Sequence, residues 1–248
     1  MSLPEQVEYF RVVAEANRAL VTGGRVIEIG SYDVNGNIRE PYAAAAHYVG
    51  VDLTEGPSVD RVGFGHEIDD PDASYDLALS CDCFEHDPHW AETLANMVRL
   101  TKPGGVVAVS FASRGFPEHG TRRTDIDDSP GTQALEIDYY RNLERSDLEA
   151  LPLDEWFSSW QLWYIPTNMC MYLAGIRRGA DLGARIDFDA DVARIRTMMP
   201  FPHRAVRWPL RIAGRVVGTG DRYQNLILPY WLGMQRRFGG SSLAKRDD

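Results

Sequence analysis

The chain has 248 residues, a mass of 27.9 kDa and 44% hydrophobic residues, which is enough for one large domain or a domain with an appendage. A formal net charge of -10 and a pI near 5.1 argue against a nucleic-acid partner, because affinity for phosphate backbones comes mostly from lysine and arginine. Three cysteines are typical of a reducing compartment, and the amino-terminal segment carries charges throughout, so we expect neither a signal peptide nor a membrane span. We therefore expect a cytoplasmic protein.

Apolar runs alternate with helical patterns along the chain, which predicts an α/β fold with a mainly parallel sheet. The density of β-branched and aliphatic residues predicts strands buried on both faces at 25–30, 47–52, 75–80 and 105–111. Helices are predicted at 4–22, 38–46 and 88–100. A further helix is expected to start at Ser146 with that serine as its cap. Two apolar runs, 157–165 and 168–176, lie too close together for a helical crossover and predict an antiparallel pair.

Residues at the ends of the first two strands indicate a nucleoside site. Gly30 allows a ligand to approach the backbone, while Glu28 and Asp52 place carboxylates where a ribose diol can donate hydrogen bonds. A dinucleotide fingerprint is disfavoured, because Tyr32 and Asn35 occupy two of its three glycine positions, and a P-loop motif is absent. The pattern favours an adenosine-containing cofactor that lacks a pyrophosphate.

Four motifs in order carry a family resemblance: VIEIGSYDVNG, YVGVDL, DASYDLALSCDCFEHDPHW and RLTKPGGVVAVSF. This series, within about residues 25–113, resembles the class I S-adenosylmethionine-dependent methyltransferases of the type 11-like group. The resemblance implies a doubly wound, Rossmann-like sheet of seven strands, mainly parallel, with the last strand antiparallel. It also implies that Asp52 binds the ribose, and that the methionine part is held by Glu28, Gly30, Ser31 and Gly36.

The expected adenine contact departs from the family pattern. An aspartate that often meets the adenine amine aligns with Phe64 in this chain. Apolar contact, backbone groups near Gly65, or a shifted carboxylate such as Glu67 would then hold the base. Leu53, beside Asp52, and Cys81, after the strand at 75–80, complete the predicted cofactor contacts.

Two histidine-containing clusters, CDCFEHD and SRGFPEHG, follow the last two strands of the parallel set. A hydroxyl acceptor must lose a proton as it attacks a methyl group, and histidine titrates near neutral pH. His119 is therefore the first candidate base and His86 the second, with Asp82 as a further catalytic candidate. The alternative is that Glu85, His86 and Asp87 merely cap the following helix.

A hard divalent ion such as Mg²⁺ is an alternative means of activating a hydroxyl. Its candidate ligands are Asp82, Glu118, His119 and the acids of residues 125–128. Zinc bound by the CDC sequence is disfavoured, because the two cysteines alternate sides of an extended strand and no C-x-x-C partner exists.

Residues 113–150 form a polar segment too long for an ordinary connection, which predicts a lid or substrate-binding insertion. Its donors and flat apolar faces suit a hydroxyl-rich acceptor such as a sugar, although the tyrosines could instead pack the lid onto the sheet. These residues are Arg122, Arg123, Tyr139, Tyr140, Arg141 and Asn142. The pattern is also similar to actinobacterial sugar O-methyltransferases, which implies a saccharide acceptor and a place in polysaccharide biosynthesis.

A basic extension, 179–248, is expected after a methyltransferase domain at 1–178. Between residues 204 and 237, seven arginines accompany one acid, Asp221. Four of these arginines fall at helical spacing and predict an amphipathic helix: Arg204, Arg207, Arg211 and Arg215. Such a helix lies on lipid, binds an anionic substrate, or packs against the rest of the protein or a second subunit. Packing or a homodimer is the favoured interpretation.

Two functions of different class remain at this stage. The first is an enzyme that methylates a hydroxyl of a small acceptor, with a saccharide favoured and transfer to nitrogen or carbon left open. The second is a non-catalytic, cofactor-binding scaffold subunit. Glu28, Gly30 and Asp52, together with two histidine clusters at one sheet edge, favour the enzyme.

Overall fold

Seven strands form one sheet in the computed structural model, which describes residues 3–238. The strand order is β3-β2-β1-β4-β5-β7-β6, with β1 to β5 paired in parallel and β7 antiparallel to both β5 and β6. This arrangement confirms the predicted doubly wound sheet with an antiparallel last strand. The strands are Arg25–Ile29 (β1), His47–Asp52 (β2), Arg61–Val62 (β3), Tyr75–Cys81 (β4), Thr101–Ala112 (β5), Phe157–Ile165 (β6) and Cys170–Arg177 (β7).

Helices cover both faces of this sheet and extend beyond it. In the described part of the chain they are Pro4–Ala16 (α1), Arg18–Val21 (α2), Trp90–Leu100 (α3), Pro130–Ala134 (α4), Arg145–Glu149 (α5), Leu153–Trp156 (α6), Asp189–Ile195 (α7), Phe201–Val217 (α8) and Asp221–Phe238 (α9). Single 3-10 turns occupy Glu40–Tyr42, Gly65–Glu67 and Ile126–Asp128. Within residues 3–238, no helix combines the length and apolarity needed to cross a bilayer.

Neighbouring residues of the central strands supply two separate hydrophobic cores. Val26 packs into the core that contains α1, whereas Ile27 packs into the core that contains α3. The same alternation recurs at Val106 and Val107 in β5. Since successive strand residues point to opposite faces, a sheet covered on both sides requires the continuous apolar runs seen in the sequence.

Three predicted helices differ from the structure. The helix expected at 4–22 is divided at Asn17, whose side-chain amide donates to the Val13 carbonyl at 2.9 Å and competes with the helical backbone. The helix expected at 38–46 reduces to one 3-10 turn, because Pro41 lacks the N–H that a helix needs there. Glu144, rather than Ser146, caps α5, and its backbone N–H donates to the Asp147 carboxylate at 2.7 Å.

The carboxyl ends of β1, β2, β4 and β5 meet at one edge of the sheet because these strands are parallel. Strand order reverses between β1 and β4, which is where ligands bind in open α/β sheets. At this point Gly30, after β1, lies directly against Cys83, after β4. The loops that carry the predicted site therefore converge.

The carboxyl-terminal helices pack as a pair over the segment after β5. Leu210 of α8 and Tyr223 and Trp231 of α9 form a small core with Met169. The amphipathic helix is confirmed, but its faces differ from the prediction: Arg207 is 5% exposed, with its guanidinium over the Trp231 ring, while Val216 is 80% exposed. The homodimer and the division at residue 178 stay predictions, although Ile195 of α7 packs with Tyr9 in the core of the sheet.

Candidate active site

One pocket at the carboxyl edge of the sheet brings together the residues predicted to bind a cofactor. All nine of them line it: Glu28, Gly30, Ser31, Gly36, Asp52, Leu53, Phe64, Gly65 and Cys81. Asp82 and His86 line the same pocket, whereas His119 and Glu118 do not. The structure thus assembles the predicted cofactor set, and the role of each residue stays a prediction.

Gly30 shapes the turn where β1 enters the pocket. Its φ of +81° lies in the left-handed region that favours glycine. A Cβ at this position would lie 2.5 Å from the Cβ of Cys83, which is far inside van der Waals contact. The position therefore accepts only glycine for two separate reasons, backbone conformation and space.

Asp52 joins the ends of the first two strands. Its Oδ2 accepts a hydrogen bond from the Tyr32 N–H at 2.9 Å, and its Oδ1 accepts one from the Leu53 N–H at 2.7 Å. A carboxylate has about four acceptor sites, so each oxygen keeps capacity for a further donor such as a ribose hydroxyl. Burial raises the pKa of Asp52, while these two backbone N–H groups oppose that shift.

Glu28 and Ser31 contribute buried polar atoms to the same wall. Glu28 Oε2 accepts a hydrogen bond from the Tyr48 hydroxyl at 2.6 Å, and burial raises the pKa of Glu28 to about 7. Ser31 Oγ is buried and has no hydrogen-bond partner among the described residues. A buried hydroxyl without a partner is costly, so Ser31 is suited to a polar group of a ligand.

Two of the three residues expected near adenine line the pocket, and the third does not. Phe64 and Gly65 line the pocket, whereas Glu67 does not and is exposed beside His66. The Gly65 carbonyl is already occupied by the Asn96 side-chain amide at 2.8 Å. Phe64 and Gly65 are thus the predicted adenine contacts that line the pocket, and which of them holds the base stays a prediction.

A buried cluster at the ends of β4 and β5 contains both predicted bases. His86 Nε2 and His119 Nε2 lie 3.2 Å apart, although the residues are 33 positions apart in sequence. Glu85 joins them, and one ligand-capable atom of each residue lies within 4.8 Å of the others. Only His86 of the three lines the pocket, so it is the member that a bound acceptor would meet.

Burial dominates the electrostatics of this cluster. Desolvation lowers the pKa of His119 to about 3 and holds the pKa of His86 well below its ordinary value, which leaves both rings neutral at pH 7. Burial, reinforced by the charge of Asp82, raises the pKa of Glu85 to about 8. Glu85 Oε1 accepts a hydrogen bond from the Ala112 N–H at 2.9 Å.

A family profile described as "Methyltransferase domain" matches residues 5–175. The chain belongs to this methyltransferase family. With its seven-stranded sheet, the protein is a class I S-adenosylmethionine-dependent methyltransferase. Comparison with curated protein sequences gives no significant match.

Solved structures of similar fold include methyltransferases from three organisms. The Burkholderia thailandensis 1,6-didemethyltoxoflavin-N1-methyltransferase has 19% identity and a TM-score of 0.47, over 71% of this chain and 80% of that chain. The Haemonchus contortus phosphoethanolamine N-methyltransferase 2 has 15% identity and a TM-score of 0.47, over 64% of this chain and 49% of that chain. A Mesorhizobium loti S-adenosylmethionine-dependent methyltransferase has 18% identity and a TM-score of 0.45, over 68% of this chain and 100% of that one. The match thus spans about half of the Haemonchus protein.

The methyltransferase pocket fits its cofactor by the chemistry of its donor set. Gly30 allows Cys83 to lie close at the pocket wall, Ser31 leaves a buried hydroxyl unpaired, and Asp52 keeps acceptor capacity. These residues therefore fit S-adenosylmethionine, and they are the ones predicted to hold it.

The two carboxylates that flank the cluster have different roles. Asp82 is nearly buried, lines the pocket and accepts a hydrogen bond from the Gln6 side-chain amide. Asp87 accepts hydrogen bonds from the His89 N–H at 2.7 Å and the Thr93 hydroxyl at 2.5 Å, at the start of α3. Asp87 therefore holds the turn before α3 and does not cap the helix, because His89 occupies the N-cap position and no side chain of the described residues caps that end.

The metal ligands predicted from the sequence do not form one group in the described chain. Glu118 accepts a hydrogen bond from Thr121 at 2.7 Å and pairs with Arg123 at 3.1 Å. Asp128 lines the cofactor pocket, where burial raises its pKa to about 6. Among described residues, the potential metal ligands that converge are those of the Glu85 cluster, which shares only His119 with the predicted set.

Part of the segment predicted to be a lid lines the pocket, and in this part the sequence indicates only Asp128, as a candidate metal ligand. Residues 128–132 of the lid line the pocket, and Gly131 lies against Asp52. Tyr140 packs edge-on against His86 and His119, and the Asn142 amide donates to the Phe116 carbonyl at 2.8 Å. Packing therefore accounts for Tyr140 and Asn142, one of the two interpretations considered for these lid residues.

Sequence reasoning missed Glu85 as a site residue and Gly131 as a pocket residue. Glu85 directly precedes His86, and a carboxylate next to a histidine was the available signal, but it equally suits a helix cap. Gly131 had no such signal, because its contact with Asp52 spans 79 positions of sequence and depends on how the lid folds.

Proposed function

We propose that this methyltransferase transfers a methyl group to a hydroxyl of a small acceptor, with a saccharide as the acceptor class. One observation carries the proposal: Asp52, suited to the ribose of the cofactor, and His86, the member of the buried cluster that lines the pocket, lie in the same pocket wall. S-adenosylmethionine supplies a methyl group on a sulfonium, which is already activated for transfer.

The protein must first bind and orient the cofactor and the acceptor. Asp52 accepts hydrogen bonds from sugar hydroxyls, and Ser31 offers its unpaired hydroxyl to a polar group. The 128–132 segment lines this part of the pocket, where Gly131 lies against Asp52. Orientation of the two reactants is a large part of catalysis when the transferred group is already activated.

The second task is to activate the acceptor. A hydroxyl is a weak nucleophile until its proton is removed or its oxygen polarised, whereas a neutral amine already carries a usable lone pair. His86, in contact with His119 and beside Glu85, is the member of the cluster that lines the pocket, so its imidazole is the group that can polarise the hydroxyl or take its proton. This cluster favours a hydroxyl acceptor, and it includes both histidines predicted as bases.

A saccharide acceptor is supported by the mixed character of the lid. Arg122 is exposed and Tyr139 is half-buried, so a donor and a flat apolar face remain at the surface of the predicted lid. Sugars require this combination of hydrogen-bond donors and apolar faces.

Transfer to nitrogen is the second candidate function. The buried carboxyls of Asp82 and Glu85 lie beside the pocket and would attract a cationic amine before it loses a proton. A non-catalytic scaffold subunit would bind the cofactor without turnover.

A labelled-methyl assay separates these functions. The native protein should transfer label from S-adenosylmethionine to a member of a saccharide panel, and mass spectrometry should locate an O-methyl ether. His86→Gln should reduce turnover strongly while keeping affinity for S-adenosylhomocysteine, and Asp69→Asn, an exposed acid, serves as the control. Label found only on amines would replace this proposal with the second candidate, and absence of any transfer with intact cofactor binding would favour the scaffold.

A homodimer through the carboxyl-terminal helices is proposed separately. Phe201, Trp208 and Val216 of α8 are exposed apolar side chains that a second subunit could cover. Sedimentation equilibrium of the native protein and of Trp208→Glu would test it, because the substitution should lower the fraction of dimer.

A further inference from the structure

The cluster of Glu85, His86 and His119 has the features of a metal site. The three residues come from loops after two adjacent parallel strands, β4 and β5, and all three are buried, at 0%, 6% and 7% exposure. Their ligand-capable atoms lie within 4.8 Å of one another. Two imidazoles and one carboxylate form a recurrent donor set for divalent transition metals.

The spacing of the imidazoles suits a shared ion. Two nitrogens bound to one tetrahedral ion at the usual Zn–N bond length are about 3.3 Å apart. His86 Nε2 and His119 Nε2 are 3.2 Å apart, which in the metal-free protein is a hydrogen bond between the rings. An ion can therefore replace the bridging proton with little movement of either side chain.

Glu85 supplies the independent observation. Its Oε1 accepts the Ala112 N–H at 2.9 Å, whereas its Oε2 is buried, accepts no N–H from the described residues and lies beside the Asp82 carboxyl. A buried carboxyl oxygen without an N–H donor is costly, so Oε2 is suited to coordinate a cation.

The surroundings orient the ligands and limit water. His119 Nδ1 lies 3.3 Å from the Pro117 carbonyl, and a proton on Nδ1 in this contact leaves the Nε2 lone pair directed at His86. The Tyr140 ring packs against both imidazoles, with ring centroids at 5.4 Å from His86 and 5.1 Å from His119. His86 lines the pocket, so a fourth ligand can reach the ion from that side.

We propose that Glu85, His86 and His119 bind one divalent transition-metal ion, such as Zn²⁺, at the wall of the methyltransferase pocket. The nitrogen-rich donor set disfavours Mg²⁺, which prefers oxygen ligands and was the alternative considered from the sequence. In a role that rests on the proposed function, the ion would polarise the acceptor hydroxyl and lower its pKa, and water in the pocket would take the proton that methyl transfer releases.

Metal binding is measured without S-adenosylmethionine or an acceptor. The full chain, stripped with a chelator, is dialysed against Zn²⁺, and the bound metal is counted by elemental mass spectrometry. Co²⁺ then reports the coordination geometry through its visible absorption. We expect one ion per chain, and affinity reduced at least about tenfold in Glu85→Gln, His86→Gln and His119→Gln.

The control is His47→Gln, which removes an exposed histidine on β2 and should bind metal like the native chain. Calorimetry with S-adenosylhomocysteine shows whether each variant keeps its folded pocket. A native chain that binds no Zn²⁺, or cluster variants that bind as well as the control, would overturn the metal site. Because this readout requires no turnover, its failure is distinguishable from failure of the proposed methyl transfer.

Discussion

The backbone N–H of Tyr32 donates a 2.9 Å hydrogen bond to Oδ2 of Asp52, which ties the loop after β1 to the end of β2. In Asp52→Asn, an amide replaces one carboxylate oxygen, so the side chain loses its charge and half of its acceptors. Charge-assisted hydrogen bonds contribute about 1.5–3 kcal/mol each, so affinity for S-adenosylhomocysteine should fall roughly 10- to 100-fold. Calorimetry measures this, with Asp69→Asn as the matched exposed control, and equal affinity in the two variants would contradict the assignment.

Alanine substitutions at Gly30 and Gly23 test whether the residue after β1 must lack a side chain. Both have positive φ, at +81° and +72°, but a Cβ at Gly23 would meet nothing within 4 Å. Gly23→Ala should therefore cost only backbone strain, about 1–2 kcal/mol, while Gly30→Ala adds the clash with Cys83. Urea unfolding should show the larger loss of unfolding free energy for Gly30→Ala. Similar losses in the two variants would mean that Cys83 moves aside at little cost.

Glu28 should make stability depend on pH. Its pKa is raised to about 7 in the folded protein, from an ordinary value of 4.5, chiefly by burial. Between these values the unfolded chain releases a proton that the folded chain retains, so the free energy of unfolding should decrease as pH rises through this window. The full effect is about 3 kcal/mol, and it is constant above the folded pKa.

Urea unfolding of Glu28→Gln at about pH 5 and about pH 8 tests this linkage, since the amide does not titrate in that range. The variant should lose the contribution of Glu28 to the pH dependence, up to about 3 kcal/mol, while those of Glu85 and Asp128 remain. Glu55→Gln, at an exposed position, should keep it. An unchanged slope in Glu28→Gln would show that Glu28 is ionised in the folded protein.

Gly131 places the lid against the cofactor site. A Cβ at this position would lie 2.5 Å from Asp52 Oδ1, so Gly131→Ala should displace the lid and weaken binding of S-adenosylhomocysteine several-fold. Gly233→Ala is the control, because a Cβ there meets nothing within 4 Å and alanine favours the helix by about 1 kcal/mol. Hydrogen exchange of residues 128–137 should increase only in Gly131→Ala.

Arg207 should stabilise the pair of carboxyl-terminal helices. Its guanidinium lies over the Trp231 ring at 5.4 Å and is buried, so Arg207→Ala removes a desolvated cation–π contact of about 2 kcal/mol as well as packing. Hydrogen exchange in α8 and α9 should rise, while the exposed Arg215→Ala should behave like the native chain. Equal protection in both variants would show that Arg207 does not hold the helices together.

Local chemistry made much of the fold readable from the sequence. The strands at 25–30, 47–52, 75–80 and 105–111 were predictable because a sheet buried on both faces requires continuous apolar runs, and the close spacing of 157–165 and 168–176 allowed only an antiparallel pair. Gly30 and Asp52 could be placed at the pocket because parallel strands bring their carboxyl ends to one edge.

Tertiary structure alone decided how distant side chains meet. The sequence contained His86 and His119 but not their 3.2 Å contact, because that distance depends on two loops folding back over the ends of β4 and β5. Glu85 fits a helix cap in the sequence, but in the structure it accepts a hydrogen bond from the Ala112 N–H. Gly131 belongs to no motif that would predict its contact with Asp52. Hydrophobic periodicity fixes the elements, since it acts between near neighbours, whereas the site depends on contacts between loops that only the packed chain brings together.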